Sequence, residues 1–385
     1  MPEQGTLTPE GPKVADADGY PVRVEAALAT LPAEPSARHV WRALGHAGLL
    51  AELYPVPGAE RAYPPDPARL RTLLAALDAD LDIGAVLSVC VQAASATPIL
   101  LEGWDSPPVR RAAEAALAGE AVTALGATDA GASGSDLLNL ATEVRIDDDG
   151  LVLDGGKRWI TSACFADQVL VLARHRQGAH FTNFTWVLAP TAAPGVTTTP
   201  ADTPYFRGSG VGHLDFRDVR LGRDHVVGRV GRGLPSFTRN VGAERLAGAM
   251  WAAATARRVL RDTYRRLRDR GVGGEPLWRN AAVRERFGRC LLRYEQLTSL
   301  CAPHVARGSG VAPLSGMFLK AAAGETLEYI LSECARLSGA DGFAAGGVAH
   351  LRAEAAMFGI AGGAGEVMLA GIAEHVETVL DMEPS

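Results

Sequence analysis

Few of the residue types that do chemistry are spaced for it in this sequence. The histidines, at 39, 46, 175, 180, 213, 225, 304, 350 and 375, never fall into His-Glu-x-x-His or another ligand spacing, so no metal is expected. The cysteines, at 90, 164, 290, 301 and 334, are odd in number and form no Cys-x-x-Cys pair. That excludes a disulfide framework and a zinc ribbon and suits a reducing cytoplasm. No Gly-x-Ser-x-Gly elbow occurs, and Gly308-Ser309-Gly310 lacks the flanking strand and helix, so it reads as a loop. Gly339, Gly342 and the pair Gly346-Gly347 suggest a phosphate cradle, but no Rossmann βαβ unit surrounds them. Arg258, Arg261, Arg265, Arg266 and Arg268 line one helix; a solvated charged face is the ordinary reading and a dock for an acidic carrier protein the sharper one. What remains are two small-residue segments, Thr128-Asp-Ala-Gly-Ala-Ser-Gly-Ser135-Asp136 and Asp154-Gly-Gly-Lys157-Arg-Trp159-Ile160-Thr161-Ser162, and a few carboxylates. Taken singly, such segments cap turns, and a tryptophan at a strand end packs into a core.

The elements that must position these residues change type twice along the chain. Residues 1 to about 120 carry apolar residues at three- and four-residue spacing over Val22–Leu31, Ala37–Leu53, Pro67–Leu81 and Ala112–Leu117, punctuated by prolines at 32, 55, 57, 64, 65, 107 and 108. From about 121 to 232, short runs rich in Val, Leu, Phe and Thr (151–153, 168–172, 185–188, 212–221) alternate with Gly, Asp and Pro. These predict an antiparallel β-domain. Asp147-Asp148-Asp149-Gly150 and Asp154-Gly155-Gly156 are turn signals around one strand. From about 235 the helical period returns, with Leu246, Met250, Ala253, Leu260, Tyr264 and Leu267 on one face, and further helices expected over 278–307, 314–338 and 363–380. The fold class is therefore α+β: an N-terminal helical domain over 1–120, a β-barrel or sandwich over 121–232 and a C-terminal four-helix bundle over 233–385. A chain of 385 residues with 47% apolar residues can build such a core. A net charge of −6 leaves no basic footprint for nucleic acid. The acidic N-terminus lacks a secretory pattern. The uncharged run Ile83–Leu101 is long enough to span a bilayer, but Ser88, Gln92, Ser95, Thr97 and Pro98 interrupt it, so a buried helix and no membrane span are expected.

The two segments, in this order at the entry to the β-domain, resemble those of the acyl-CoA dehydrogenase family. Phe216-Arg-Asp-Val219-Arg-Leu221, Glu244-Arg245-Leu246, Arg270 with Gly273-Gly274 and Pro276-Leu277, Ser338-Gly339-Ala340-Asp341-Gly342-Phe343, and Gly362-Gly363-Ala364-Gly365-Glu366-Val367-Met368 match further family motifs in sequence order. The likeness covers residue 80 to the end. It implies FAD as cofactor, with Thr128 and Ser135 near the flavin ring and pyrophosphate and Trp159, Thr161 and Ser162 beside the isoalloxazine. Short hydroxyls and loop amides can meet ring and phosphate heteroatoms while an indole packs on the ring edge. By the same likeness Arg270 reaches the diphosphate at a subunit boundary, and Gly339, Gly342 and Glu366 lie near the cofactor.

Most members of that family carry the catalytic glutamate just before the last Gly-x-Ser motif, where this chain has Gly362, which cannot take a proton. A second family arrangement places the base on the first bundle helix before an arginine, and that position is Glu244, followed by Arg245. Glu244 is thus the expected α-proton base, against the plainer reading of a helix-start glutamate serving the helix dipole. The family Phe is replaced by Gly273, its Gln by Arg336, its Thr by Ala364, and its Glu-Pro by Asp129-Ala130. The resemblance implies FAD-dependent α,β-dehydrogenation of an acyl thioester on coenzyme A or a carrier protein, in a divergent member of biosynthetic type. An electron-accepting flavoprotein or oxygen would take the electrons, and a homodimer or homotetramer would form. Two alternatives stay open: a reduced-flavin monooxygenase on the same fold, which needs no carboxylate base, and a redox-inactive binding scaffold.

Overall fold

The computed structural model describes residues 19–58, 62–129, 137–308 and 310–382. Six helices come first: α1 Tyr20–Leu28, α2 Ala37–His46, α3 Pro67–Asp80, α4 Ile83–Val91, α5 Thr97–Glu102 and α6 Pro107–Leu117. Their starts follow local chemistry. The Ser36 hydroxyl and the His39 ring form a reciprocal cap on α2, and Asp66 Oδ1 accepts the Arg69 amide at 2.8 Å on α3. Helix α6 begins five residues earlier than the periodicity predicts. Pro107 and Pro108 open it instead of breaking the chain, because the first turn of a helix needs no amide donor.

The uncharged run is long and apolar enough to cross a membrane, yet it is buried inside the protein. It is not one continuous α-helix. Between α4 and α5 the residues Gln92–Ala96 form a π-helical turn, closed by the Thr97 amide on the Gln92 carbonyl. Pro98 explains it: with no amide hydrogen, and a ring that crowds the carbonyl four residues back, it forbids a regular α ladder at that point.

The sheet contains β1 Thr123–Gly126, β2 Glu143–Ile146, β3 Leu151–Ile160, β4 Gln168–Arg174, β5 Phe184–Pro190, β6 Val196–Pro200, β7 Gly212–Leu221 and β8 Val226–Val227. Their order is β6-β7-β3-β2-β4-β5-β8, with β1 on β4. Most pairs are antiparallel as expected, but β1 runs parallel to β4 over four residue pairs and β2 meets β4 in parallel at Glu143–Arg174. The sheet is therefore mixed. Strand β1 enters straight from α6 with no hairpin to reverse it, which the alternation pattern cannot reveal.

Helix α7, Gly233–Asp269, is 37 residues long, and it is followed by α8 Ala281–Arg307, α9 Pro313–Leu337, α10 Val348–Ala355, α11 Gly365–Ala373 and α12 Val376–Val379. The single helix expected over 363–380 is split, and α10 was not signalled at all. Gly273 and Gly274, with φ of 61° and 85°, turn the hairpin that pairs Gly271–Val272 with Glu275–Pro276; the glycine replacing the family Phe is a turn residue. Asp78 of α3, 4% exposed, fixes α7 laterally. It accepts from Trp251 Nε1 at 3.0 Å, Thr255 Oγ1 at 2.6 Å and Arg258 Nε at 2.8 Å. Arg258 is therefore a tie between helices and not part of a free charged face.

Candidate active site

An apolar cavity of about 70 Å³ lies where α4, α7 and α9 converge. Its walls include Leu87, Cys90 and Val91 from α4 and Trp251 from α7, with Phe358 closing one side. Trp251 is held by Asp78 and lies edge-on to Phe358 at 4.8 Å between centroids. One carboxylate reaches this cavity, Glu244. It sits about three turns into α7, because the helix starts at Gly233. The helix-start reading is therefore excluded: the dipole effect is confined to the first turn. Gly248, one turn further, would carry a Cβ into open space, so the cavity is unobstructed beside the acid.

The geometry around Gly362 leaves little room for a side chain. Its φ is 75°, and an added Cβ would lie 2.8 Å from Glu244 Oε1. The Glu244 carboxylate thus fills the space into which a side chain from position 362 would project. Its other oxygen, Oε2, accepts a 2.8 Å hydrogen bond from Ser95 Oγ in the π-helical turn. Arg245 Nε reaches the Gly362 carbonyl at 3.4 Å, and Lys320 of α9 donates to the Phe358 carbonyl.

Burial dominates the electrostatics. It raises the pKa of Glu244, opposed by the Ser95 hydrogen bond and by the charges of Arg245 and Lys320. Glu244 is half-buried and lines the cavity. Burial also lowers Lys320 to about 8, against the pull of Glu244, and raises the Cys90 thiol to about 12, which leaves that thiol inert at neutral pH.

The two hydroxyl-bearing segments meet at the end of β3. Asp129, 3% exposed, forms a buried ion pair with Lys157 and accepts from the Thr142 amide at 2.7 Å. The Arg158 amide bonds the Thr128 carbonyl at 3.0 Å. Just beyond, the pairing of β3 with β7 slips between Lys157 and Ile160, and Trp159 takes a left-handed φ of 57°. Such a bulge re-aims a side chain. The Trp159 indole is 57% exposed, edge-on to the His213 ring at 5.6 Å, and its amide bonds His213 Nδ1 at 3.2 Å. Thr128 and Thr161 are half-buried, and their hydroxyls have no partner among the described residues. Unpartnered hydroxyls around an exposed indole fit the polar edge and flat face of a flavin. Ser162 departs from that expectation. It is 2% exposed, and its hydroxyl lies 2.7 Å from Ser88 Oγ, so its side chain is already taken. Ser135 lies outside the described residues.

Arg270 and Gly339 come together elsewhere, at the far end of α7. Arg270 Nη1 donates to the Ser338 carbonyl at 3.2 Å and lies 3.7 Å from Asp341, which also pairs with Arg266. Gly342 is required by packing, since a Cβ there would lie 2.4 Å from the Ala335 carbonyl oxygen. Glu366 is exposed in the first turn of α11.

Among protein families, the acyl-CoA dehydrogenase middle domain matches residues 124–219 and the acyl-CoA dehydrogenase C-terminal domain matches residues 231–377. This chain belongs to the acyl-CoA dehydrogenase family. It is 30% identical over 256 residues to an acyl-[acyl-carrier-protein] dehydrogenase, MbtN, of Mycobacterium sp. (strain MCS), a match covering 65% of this chain and 64% of that protein's length. Among solved structures, a glutaryl-CoA dehydrogenase from Mycobacterium smegmatis in complex with FADH2 superimposes with a TM-score of 0.81 at 20% identity, covering 94% of this chain and 95% of that one. The FAD complex of PigA gives a TM-score of 0.83 at 18% identity, covering 96% of this chain and 99% of that one. These last two likenesses establish the fold.

In this acyl-CoA dehydrogenase family member, position 362 is glycine and the Glu244 carboxylate stands beside it. Ser95 and Lys320 were not singled out in the sequence. Ser88, Gln92 and Ser95 recur at four and three residues, the spacing of one helix face. Each of them ties the central helix to a different element: Ser88 to Ser162, Gln92 Oε1 to the Thr123 amide at 3.3 Å, and Ser95 to Glu244.

Proposed function

We propose that this chain catalyses α,β-dehydrogenation of an acyl thioester carried on coenzyme A or on a carrier protein, with Glu244 as the base that removes the α-proton. The observation that carries this reading is the Glu244 carboxylate in an apolar cavity, occupying the space beside Gly362. A carboxylate whose pKa is raised by burial is a stronger proton acceptor than a solvated one, and Oε1 lies beside Gly362, itself a cavity-lining residue. The apolar walls exclude water from the acyl chain and from the acid. FAD, when bound, supplies the hydride acceptor, and an electron-accepting flavoprotein or oxygen takes the electrons onward. Thr128, Trp159 and Thr161 would hold the flavin at the β3 bulge, and Arg270, at the far end of α7, would reach the diphosphate of a neighbouring subunit's flavin. The relationship to an acyl-carrier-protein dehydrogenase supports a biosynthetic role. A monooxygenase on this fold would not need the buried acid that the cavity contains.

The test is Glu244→Gln in FAD-loaded protein. Dehydrogenation should fall about 10²–10⁴-fold with the visible flavin spectrum retained. Undiminished turnover in that variant would remove Glu244 from the reaction, and oxygen uptake dependent on a reduced nicotinamide would favour the monooxygenase.

A further inference from the structure

The π-helical turn has a consequence for the acid. Ser95 is 2% exposed and lies in the one segment of the central helix where Pro98 prevents a regular ladder. A π-turn holds one extra residue, so it shifts the side chains around it from the faces they would present in a continuous α-helix. Here that places the Ser95 hydroxyl 2.8 Å from Glu244 Oε2. The contact crosses from the N-terminal helices to α7 and joins a hydroxyl to one oxygen of the acid, while Oε1 lies toward Gly362.

Resting on the reading of Glu244 as base, we propose that Ser95 is a positioning residue: its hydroxyl holds Oε2, so that Oε1 is the atom that takes the α-proton. A donated hydrogen bond favours the ionised acid and opposes the upward push of burial. The other titratable groups facing Glu244 are Cys90 from α4, Arg245 from α7 and Lys320 from α9; the segment from Met357 to Gly362 adds none to the wall. Arg245 and Lys320 act through charge, so Ser95 is the group that also fixes the carboxylate plane.

The experiment compares wild type, Ser95→Ala, Ser95→Thr and Glu244→Gln as FAD-loaded proteins. Two quantities are read: the acid limb of kcat, and the infrared titration of the buried carboxyl band that Glu244→Gln abolishes. In Ser95→Ala both midpoints should move up by roughly one pH unit, since a hydrogen bond to the charged form is lost. kcat below the midpoint should fall about tenfold with KM little changed, and Ser95→Thr should restore both midpoints. If Glu244→Gln is inactive but Ser95→Ala titrates like wild type, Ser95 only packs and the proposal is overturned while the base stands. If Glu244→Gln keeps full activity, the base itself is wrong and the role of Ser95 falls with it.

Discussion

Glu244 and Gly362 form a reciprocal pair: the acid stands where the glycine makes room. Gly362→Ala tests this from the glycine side. The left-handed φ of 75° would strain any residue with a Cβ, and that Cβ would come within 2.8 Å of Oε1. The variant should lose about 10²-fold in turnover, because a displacement of about an ångström at a reacting group is enough for that. It should also melt lower by calorimetry. Turnover equal to wild type would mean that the acid is free to relax elsewhere. At this scale the sequence was readable only in part. Glu244 could be picked out because an arginine follows it, but the sequence placed it near a helix start, since nothing in its spacing marks Gly233 as the first residue of α7. Ser95 was visible only as a polar break in an apolar run, because its partner lies 149 residues away.

Among the elements, the buried Asp129–Lys157 pair locks the loop bearing Thr128 to the strand bearing Trp159. Their side chains are 1% and 0% exposed, so removing the acid leaves an uncompensated buried charge. Asp129→Ala should cost about 3–5 kcal/mol in urea denaturation and weaken flavin retention on gel filtration. A loss below about 1 kcal/mol would show that water or another acceptor replaces the carboxylate. The helices and most strands were legible, because their apolar periods match the elements they form. The parallel pairing of β1 with β4 was not, since register between distant strands is set by packing and not by local alternation. The start of α6 was misplaced for a related reason: a proline signals both a break and a first helical turn, and only the context of the following residues separates the two.

Across the whole molecule, three layers meet on one buried helical run, and the C-terminal helices α11 and α12 leave apolar side chains exposed. Val376, Val379 and Leu380 are 49%, 43% and 61% exposed around α12, next to half-exposed Val367 and Leu369 on α11. Exposed apolar side chains of that kind suit contact with a second copy. Light scattering should report a homodimer or homotetramer for wild type and a smaller species for Val376→Glu combined with Leu380→Glu. Unchanged mass in that double variant would move the contact elsewhere.

The placement of the acid also bears on how such chains are judged from aligned columns alone. A reading confined to position 362 finds a glycine there, with no group to take a proton. What selection can preserve is an address in space, and two unconnected stretches of backbone can each deliver a carboxyl group to it. On the proposed reading, the glycine at position 362 is compatible with activity, because Glu244 on the facing wall stands at the same address.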